Sequence, residues 1–158
     1  MNNSSKAKRT LPRIKSSVTA TIVKGIPKTV SGRGAFLRKR LEKYGDRRFL
    51  NKDLGKYIVV LPKSIGETAY HAAKSPVSTI MALDLPRIIR KSVVTKTGLP
   101  PKANNQRRKF KFVEIKILEC RIDIFGTAKL TVGKRKGGQL YEYCITKLII
   151  NEKREPSS

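Results

Sequence analysis

Apolar residues along the chain change their spacing partway through. In "GAFLRKRLEKYG", Phe36, Leu37, Leu41 and Tyr44 recur at helical intervals, and Gly45 ends the run. "VTATIVKGIP" is β-branched, closes on Gly25 and Pro27, and predicts a strand. "RFLNKDLGKYIVVLP" predicts two short extended runs around a turn at Asn51, Asp53 and Gly55. In "SIGETAYHAAK", Ser64 and Glu67 have the spacing of a capping box, so a helix is expected from Ser64. Its packing stripe would be Ile65, Ala69, Ala72 and Ala73, with Glu67, His71 and Lys74 on another face. "SPVSTIMALDL" opens a second helix, with Ser75 as N-cap and Pro76 at the first helical position, and "PRIIRKSVV" adds a turn or two.

Residues 95–109 are rich in Pro, Gly, Asn and basic side chains and predict a loop. Beyond it the period becomes two. "FKFVEIKI", "CRIDIFGTAKLTV" and "QLYEYCITKLII" predict strands, with Cys120, Ile122, Ile124, Leu130 and Val132 inward and Lys129 and Thr131 outward. Gly126 marks a bulge or break, and "GKRKGG" a hairpin. Helices first and strands last indicate an α+β fold: N-terminal helices packed on a three- to four-stranded antiparallel sheet. The expected organisation is a disordered basic tail (1–17), a basic extension with a short helix (18–47), an α+β domain (48–150) and a polar tail (151–158).

Charge changes this picture most. The 158 residues include 36 Lys and Arg against 11 Asp and Glu, a net charge of +25. Residues 1–48 carry 14 basic and 2 acidic side chains, and residues 49–158 carry 22 and 9, so the folded part is basic too. Solubility requires only about 2–8 net charges on a small domain. A dense polyanion is the expected partner, with RNA favoured. Arg107, Arg108, Lys109, Lys134, Arg135 and Lys136 are its candidate contacts.

No stretch of about 18 apolar residues is present, and the N-terminus has no apolar signal region, so no membrane partner is expected and a cytoplasmic location is. Cys120 and Cys144, in strand-like runs, read as buried thiols, and one His with two distant Cys makes a poor zinc set. The carboxylates are few and scattered, Asp123 and Glu142 reading as cross-strand partners of basic residues, so neither metal nor cofactor is expected. A metal-free set remains: His71 as acid or base, Lys129 for charge, Thr131 and Tyr143 as hydrogen-bond donors to phosphate. Such a set could cleave RNA through 2′-hydroxyl attack. The residues alone leave His71 either catalytic or structural.

Three stretches bear on that choice. "FLNKDLGKYIVVLPKSIGETAYHAAKS" is similar to a hairpin-then-histidine-helix opening. "LDLPRIIRKSVV" is similar to a following helix, and "AKLTVGKRKGGQLYEYCIT" to a closing hairpin. Together, over about residues 48–150, they resemble the large polyvalent-protein-associated domains of phage and mobile elements, related to the barnase–EndoU–colicin–RelE nuclease superfamily. The resemblance implies helices followed by a four-stranded antiparallel sheet and metal-independent, toxin-like RNA cleavage. His71 matches the family's helix histidine; Lys129, Thr131 and Tyr143 match strand positions. It also admits an acidic inhibitor protein as partner. The alternative is a basic nucleic-acid-binding protein of a phage or mobile element without catalysis; a phage structural or partner-binding module is a third class.

Overall fold

A computed structural model of the chain describes residues 9–16, 20–100, 110–122 and 126–150. Its centre is the meander expected from period-two alternation. Strands β5 (Phe112–Ile122), β6 (Gly126–Arg135) and β7 (Leu140–Ile150) pair antiparallel in sequence order. Leu118, Cys120, Ile122, Ala128, Leu130 and Val132 share one face and are fully buried. The β6–β7 turn closes through a hydrogen bond from the Gly138 N–H to the Arg135 carbonyl. Gly138 takes φ 92° there, a conformation that a side chain would strain.

The sheet is larger and more mixed than the expected three or four antiparallel strands. Seven strands lie in the order β1-β5-β6-β7-β3-β2, with β4 also paired to β5. Strands β2 (Arg48–Asn51) and β3 (Lys56–Val60) form the hairpin read from the sequence. They join the meander through a parallel pairing of β3 with β7, Ile58 opposite Leu140. Strand β1 (Arg13–Ile14) runs parallel to β5, and β4 (Val93–Gly98) antiparallel to it. The physical reason is that β5 and β7 are the margins of a three-stranded meander, and their outer backbone groups need partners.

Five α-helices lie among the described residues. Helix α1 (Ala20–Lys24) falls where a strand was expected. Its β-branched residues carry only a weak preference, which tertiary placement overrides. Helix α2 (Val30–Leu41) is capped by Thr29, whose side chain accepts from the Gly32 N–H, and a 3-10 turn over Glu42–Tyr44 carries it to Gly45. Helix α3 (Pro62–Ala72) begins two residues before the proposed capping box. Pro62 has no N–H to leave unpaired and a φ suited to the first helical position, so the helix starts there. Ser64 is then fully buried on the packing side instead of capping. Ile65, Ala69, Ala72 and Ala73 form the buried stripe that the spacing predicted. Helix α4 (Pro76–Ala82) starts as expected, with Ser75 Oγ accepting from the Ser78 N–H at 3.0 Å. Helix α5 (Leu85–Lys91) stops at Ser92, and the β-branched "VVT" that follows makes β4, which takes up the start of the loop expected over 95–109. No helix among the described residues is long and apolar enough to cross a membrane.

One hydrophobic core joins residues from Ile14 to Ile145. Ile14 is 4% exposed, and the Arg121 N–H donates to the Pro12 carbonyl, so residues 9–16 are part of the fold and not of a disordered tail. Leu37 and Leu41 lie in the same core, so α2 belongs to the domain and not to an extension outside it. Residues 1–8, 17 and 151–158 of the expected tails lie outside the described residues.

The two margins of the sheet are brought together. Asn51, at the end of β2, donates to the carbonyls of Ile89 (2.7 Å) and Ser92 (2.9 Å) and accepts from the Leu54 N–H. Asp53 accepts from the Val94 N–H and from both terminal nitrogens of Arg9. Strand β2 at one margin thus meets the start of β4 at the other, across the end of α5. The Phe112 ring lies directly on Gly133, where a Cβ would overlap it. Gly133→Ala should therefore cost about 1–3 kcal/mol through overpacking. Urea unfolding checks it; an unchanged midpoint and slope would show that the ring has room to move.

Candidate nucleic-acid interface

The two faces of the sheet differ. The inner face packs on α2–α5 in the main core. The outer face carries a second apolar cluster of Phe110, Phe112 and Ile115, with Leu61, Ile117 and Tyr141 against it, and the first turn of α3 borders it through Lys63. Strand register places Arg48, Val59, Tyr141, Gly133 and Ile115 in one row across β2, β3, β7, β6 and β5. One step along β2 and β3 stand Leu50 and Tyr57, which are 45% and 49% exposed.

Rings and cations alternate on this face. The Arg48 guanidinium lies 4.5 Å from the centroid of Tyr57, and that of Arg135 lies 4.4 Å from the centroid of Tyr141. Tyr141 is stacked on Phe112 at 6.5 Å, Phe110 lies tilted against Phe112 at 5.4 Å, and Lys63 Nζ is 4.5 Å from the Phe110 ring. The Arg135 Nε–H donates to the Phe110 carbonyl at 2.8 Å, which orients the guanidinium and leaves its outer nitrogens for another acceptor. Among the described residues, neither Arg48 nor Arg135 is ion-paired with a carboxylate. A surface of this kind can stack flat rings and bind anions together.

The residues singled out from sequence are not gathered in one place. His71 sits on α3 with its side chain 32% exposed, its Nε2 3.9 Å from Glu67 Oε1 and the Tyr70 ring edge-on at 5.3 Å. Lys129 and Thr131 lie on the outer sheet face, opposite Glu119 and Ile117 of β5. Helix α3 packs on the inner face, so the sheet separates His71 from both. Thr131 is only 3% exposed. Tyr143 falls at the bulge in β7 between Glu142 and Cys144, and its side chain lies outside the described residues, as do Arg107, Arg108 and Lys109. The three basic residues of the last hairpin divide. Lys134 is on the inner face, 3.5 Å from Glu114; Arg135 is on the outer face; Lys136 is exposed in the turn. Charge and hydrogen bonds from Lys116 and Lys134 overcome the burial of Glu114 and hold its carboxyl below its ordinary range. Arg48, Tyr57 and Tyr141 were not singled out; their period-two alternation with buried neighbours is the signal that could have found them.

Glu142 departs from its expected role as a cross-strand partner of basic residues. It is on the inner face of β7, fully buried, and accepts a 2.8 Å hydrogen bond from Thr68 Oγ1 of α3. Among the described residues, its other oxygen and the neighbouring-turn Ser64 Oγ have no hydrogen-bond partner. Burial pushes the Glu142 carboxyl up to about 8, against the smaller opposing pull of Thr68. Cys120 is a buried free thiol pushed up to about 11, chiefly by burial, so it is not poised as a nucleophile. The Cys144 side chain and Asp123 lie outside the described residues.

Among the described residues no three His, Cys, Asp or Glu side chains are placed to hold a metal ion. Compared with known proteins, the chain matches no family model, no curated protein and no solved structure.

Glu142 yields a pH prediction with a definite sign. Unfolded, its carboxyl ionises near 4.5; folded, near 8. Between those values the unfolded chain has lost a proton that the folded chain keeps. Its contribution to stability is therefore complete below about pH 4.5 and is lost as pH rises to about 8, by at most about 1.4 kcal/mol per pH unit. Glu142→Gln should flatten that dependence and be more stable than wild type at pH 8. Urea unfolding at pH 5, 6, 7 and 8 measures both; parallel curves for the two proteins would assign the dependence to another group.

Proposed function

We propose that this chain is a nucleic-acid-binding protein whose contact surface is the outer face of the sheet, opposite the core that α2–α5 cover. The observation that carries the reading is the array of Tyr57, Tyr141, Arg48 and Arg135, in which two guanidinium groups, neither ion-paired with a carboxylate among the described residues, lie over two tyrosine rings. A net charge of +25 supplies the long-range attraction, and the array supplies oriented contacts. Lys129 and Arg121, on the same face, extend the basic surface along β6 and β5.

Ribonuclease action by His71 is the reading that this arrangement favours less. A base, a charge-stabilising cation and a phosphate donor have to meet at one scissile phosphate. Here Lys129 and Thr131 are across the sheet from His71, whose described contacts are with Glu67 and Tyr70, the latter itself covered by Lys74.

Binding to a labelled oligonucleotide at several salt concentrations tests the proposal. Affinity should fall steeply with salt, as counterion release requires. Replacing Arg48 and Arg135 together with Ala should reduce the slope of log K against log salt by roughly 1.4–1.8, about 0.7–0.9 for each lost phosphate contact. His71→Ala should leave affinity unchanged. A flat salt dependence removes the proposal. If wild type cuts RNA in EDTA and His71→Ala does not, the ribonuclease reading replaces it.

A further inference from the structure

Resting on the nucleic-acid-binding reading, we infer that the outer sheet face selects single-stranded over duplex nucleic acid, with bases stacked on Tyr57 and Tyr141 and phosphates held by Arg48 and Arg135. The first argument is the composition of the patch. Leu50 and Tyr57 are 45% and 49% exposed side by side, next to the Arg48 guanidinium, which among the described residues has no carboxylate partner. Phosphate contacts alone give no use to exposed apolar surface. A duplex offers phosphates outside and keeps the flat faces of its bases stacked within. An unpaired strand offers phosphates and bare π-faces together, which matches a surface made of rings and cations.

Spacing gives the second argument. Tyr141 stands opposite Val59, two residues along β3 from Tyr57, so the two rings are on adjacent strands and diagonal to one another. With strands about 4.8 Å apart and a rise of about 3.3 Å per residue, their backbone positions are about 8 Å apart. Successive nucleotides of a B-form duplex rise only about 3.4 Å along each strand. Two bases that occupied both rings would have to be unstacked from each other, which only an extended single strand allows at low cost.

Arginine geometry gives the third. Each guanidinium now caps a tyrosine face at 4.4–4.5 Å. A guanidinium can stack on a ring while its edge donates to a phosphate, and it can also move aside to let a base stack. The rigid platform is already built, because Tyr141 rests on Phe112 and Phe112 on Gly133.

Fluorescence anisotropy with the full chain tests the inference. The probes are a 20-nucleotide single-stranded RNA, the same DNA sequence, the 20-base-pair duplex and an abasic 20-mer of equal charge. Both single strands should bind at least about tenfold tighter than the duplex and the abasic strand. Tyr57→Ala should weaken single-strand binding about 5- to 100-fold, the range of one lost stacking contact, without changing duplex or abasic binding. Tyr57→Phe should keep the affinity. Tyr57 is no core residue, and circular dichroism would verify that both variants fold. Equal affinity for all four probes, or a silent Tyr57→Ala, overturns the inference while leaving the binding proposal intact. No salt-dependent binding of any probe removes both. A poly-glutamate peptide that binds as tightly, with the same loss at Tyr57→Ala, would overturn the inference in favour of an acidic protein partner.

Discussion

The parallel pairing of β3 with β7 is the constraint from which most of the molecule follows. Parallel neighbours cannot be joined by a tight turn; the chain must leave the sheet and return. Here the excursion runs from residue 61 to residue 139 and contains α3, α4, α5, β4, β5 and β6. Helix α3 leaves β3 at Leu61 and lies at once on β7, so the helices gather on one face. The other face carries the second apolar cluster, bordered by the first turn of α3. The same pairing sets the row containing Tyr141 next to Tyr57, so the candidate interface is a consequence of the crossover.

Buried polar groups at two places show different degrees of satisfaction. Asn51 uses both its amide hydrogens and its oxygen, on Ile89, Ser92 and Leu54, and so fastens β2 to the end of α5. Glu142 has one donor in Thr68 and, among the described residues, no partner for its other oxygen. In a low-dielectric interior a half-satisfied carboxyl is costly as an anion, and it remains protonated to about pH 8. Asn51 locks the margins of the sheet, whereas Glu142 makes the α3–β7 contact sensitive to pH.

The large positive charge is also divided by the fold. Arg33 is 6% exposed and donates to the carbonyls of Ala73, Pro27 and Lys28, where it stabilises the carboxyl end of α3. Arg9 is engaged by Asp53, and Lys116 and Lys134 by Glu114. Arg48 and Arg135 lie on rings, without carboxylates. Net charge therefore overstates the number of cations that a ligand can use, and on the outer sheet face two arginines lie over tyrosine rings beside exposed Leu50 and Tyr57.

Local pattern determined the parts of this protein that depend on neighbours in sequence. The meander of β5, β6 and β7, the β2–β3 hairpin, the stripe of α3 and the Ser75 cap were all legible, because alternation, helical spacing and cap chemistry act over a few residues. The Ser64 capping box failed to locate a boundary because Pro62, two residues earlier, fits the helix start better. Pairing of β1 and β4 with β5, and of β3 with β7, was not legible. It joins residues far apart in the chain and leaves no periodic trace. The same limit governs the candidate site. Spacing placed His71 off the packing stripe and Lys129 and Thr131 on one strand face, but which sheet face α3 would cover was decided only by tertiary packing. That choice separates His71 from the other two and leaves Tyr57, Tyr141, Arg48 and Arg135 on the face opposite the main core.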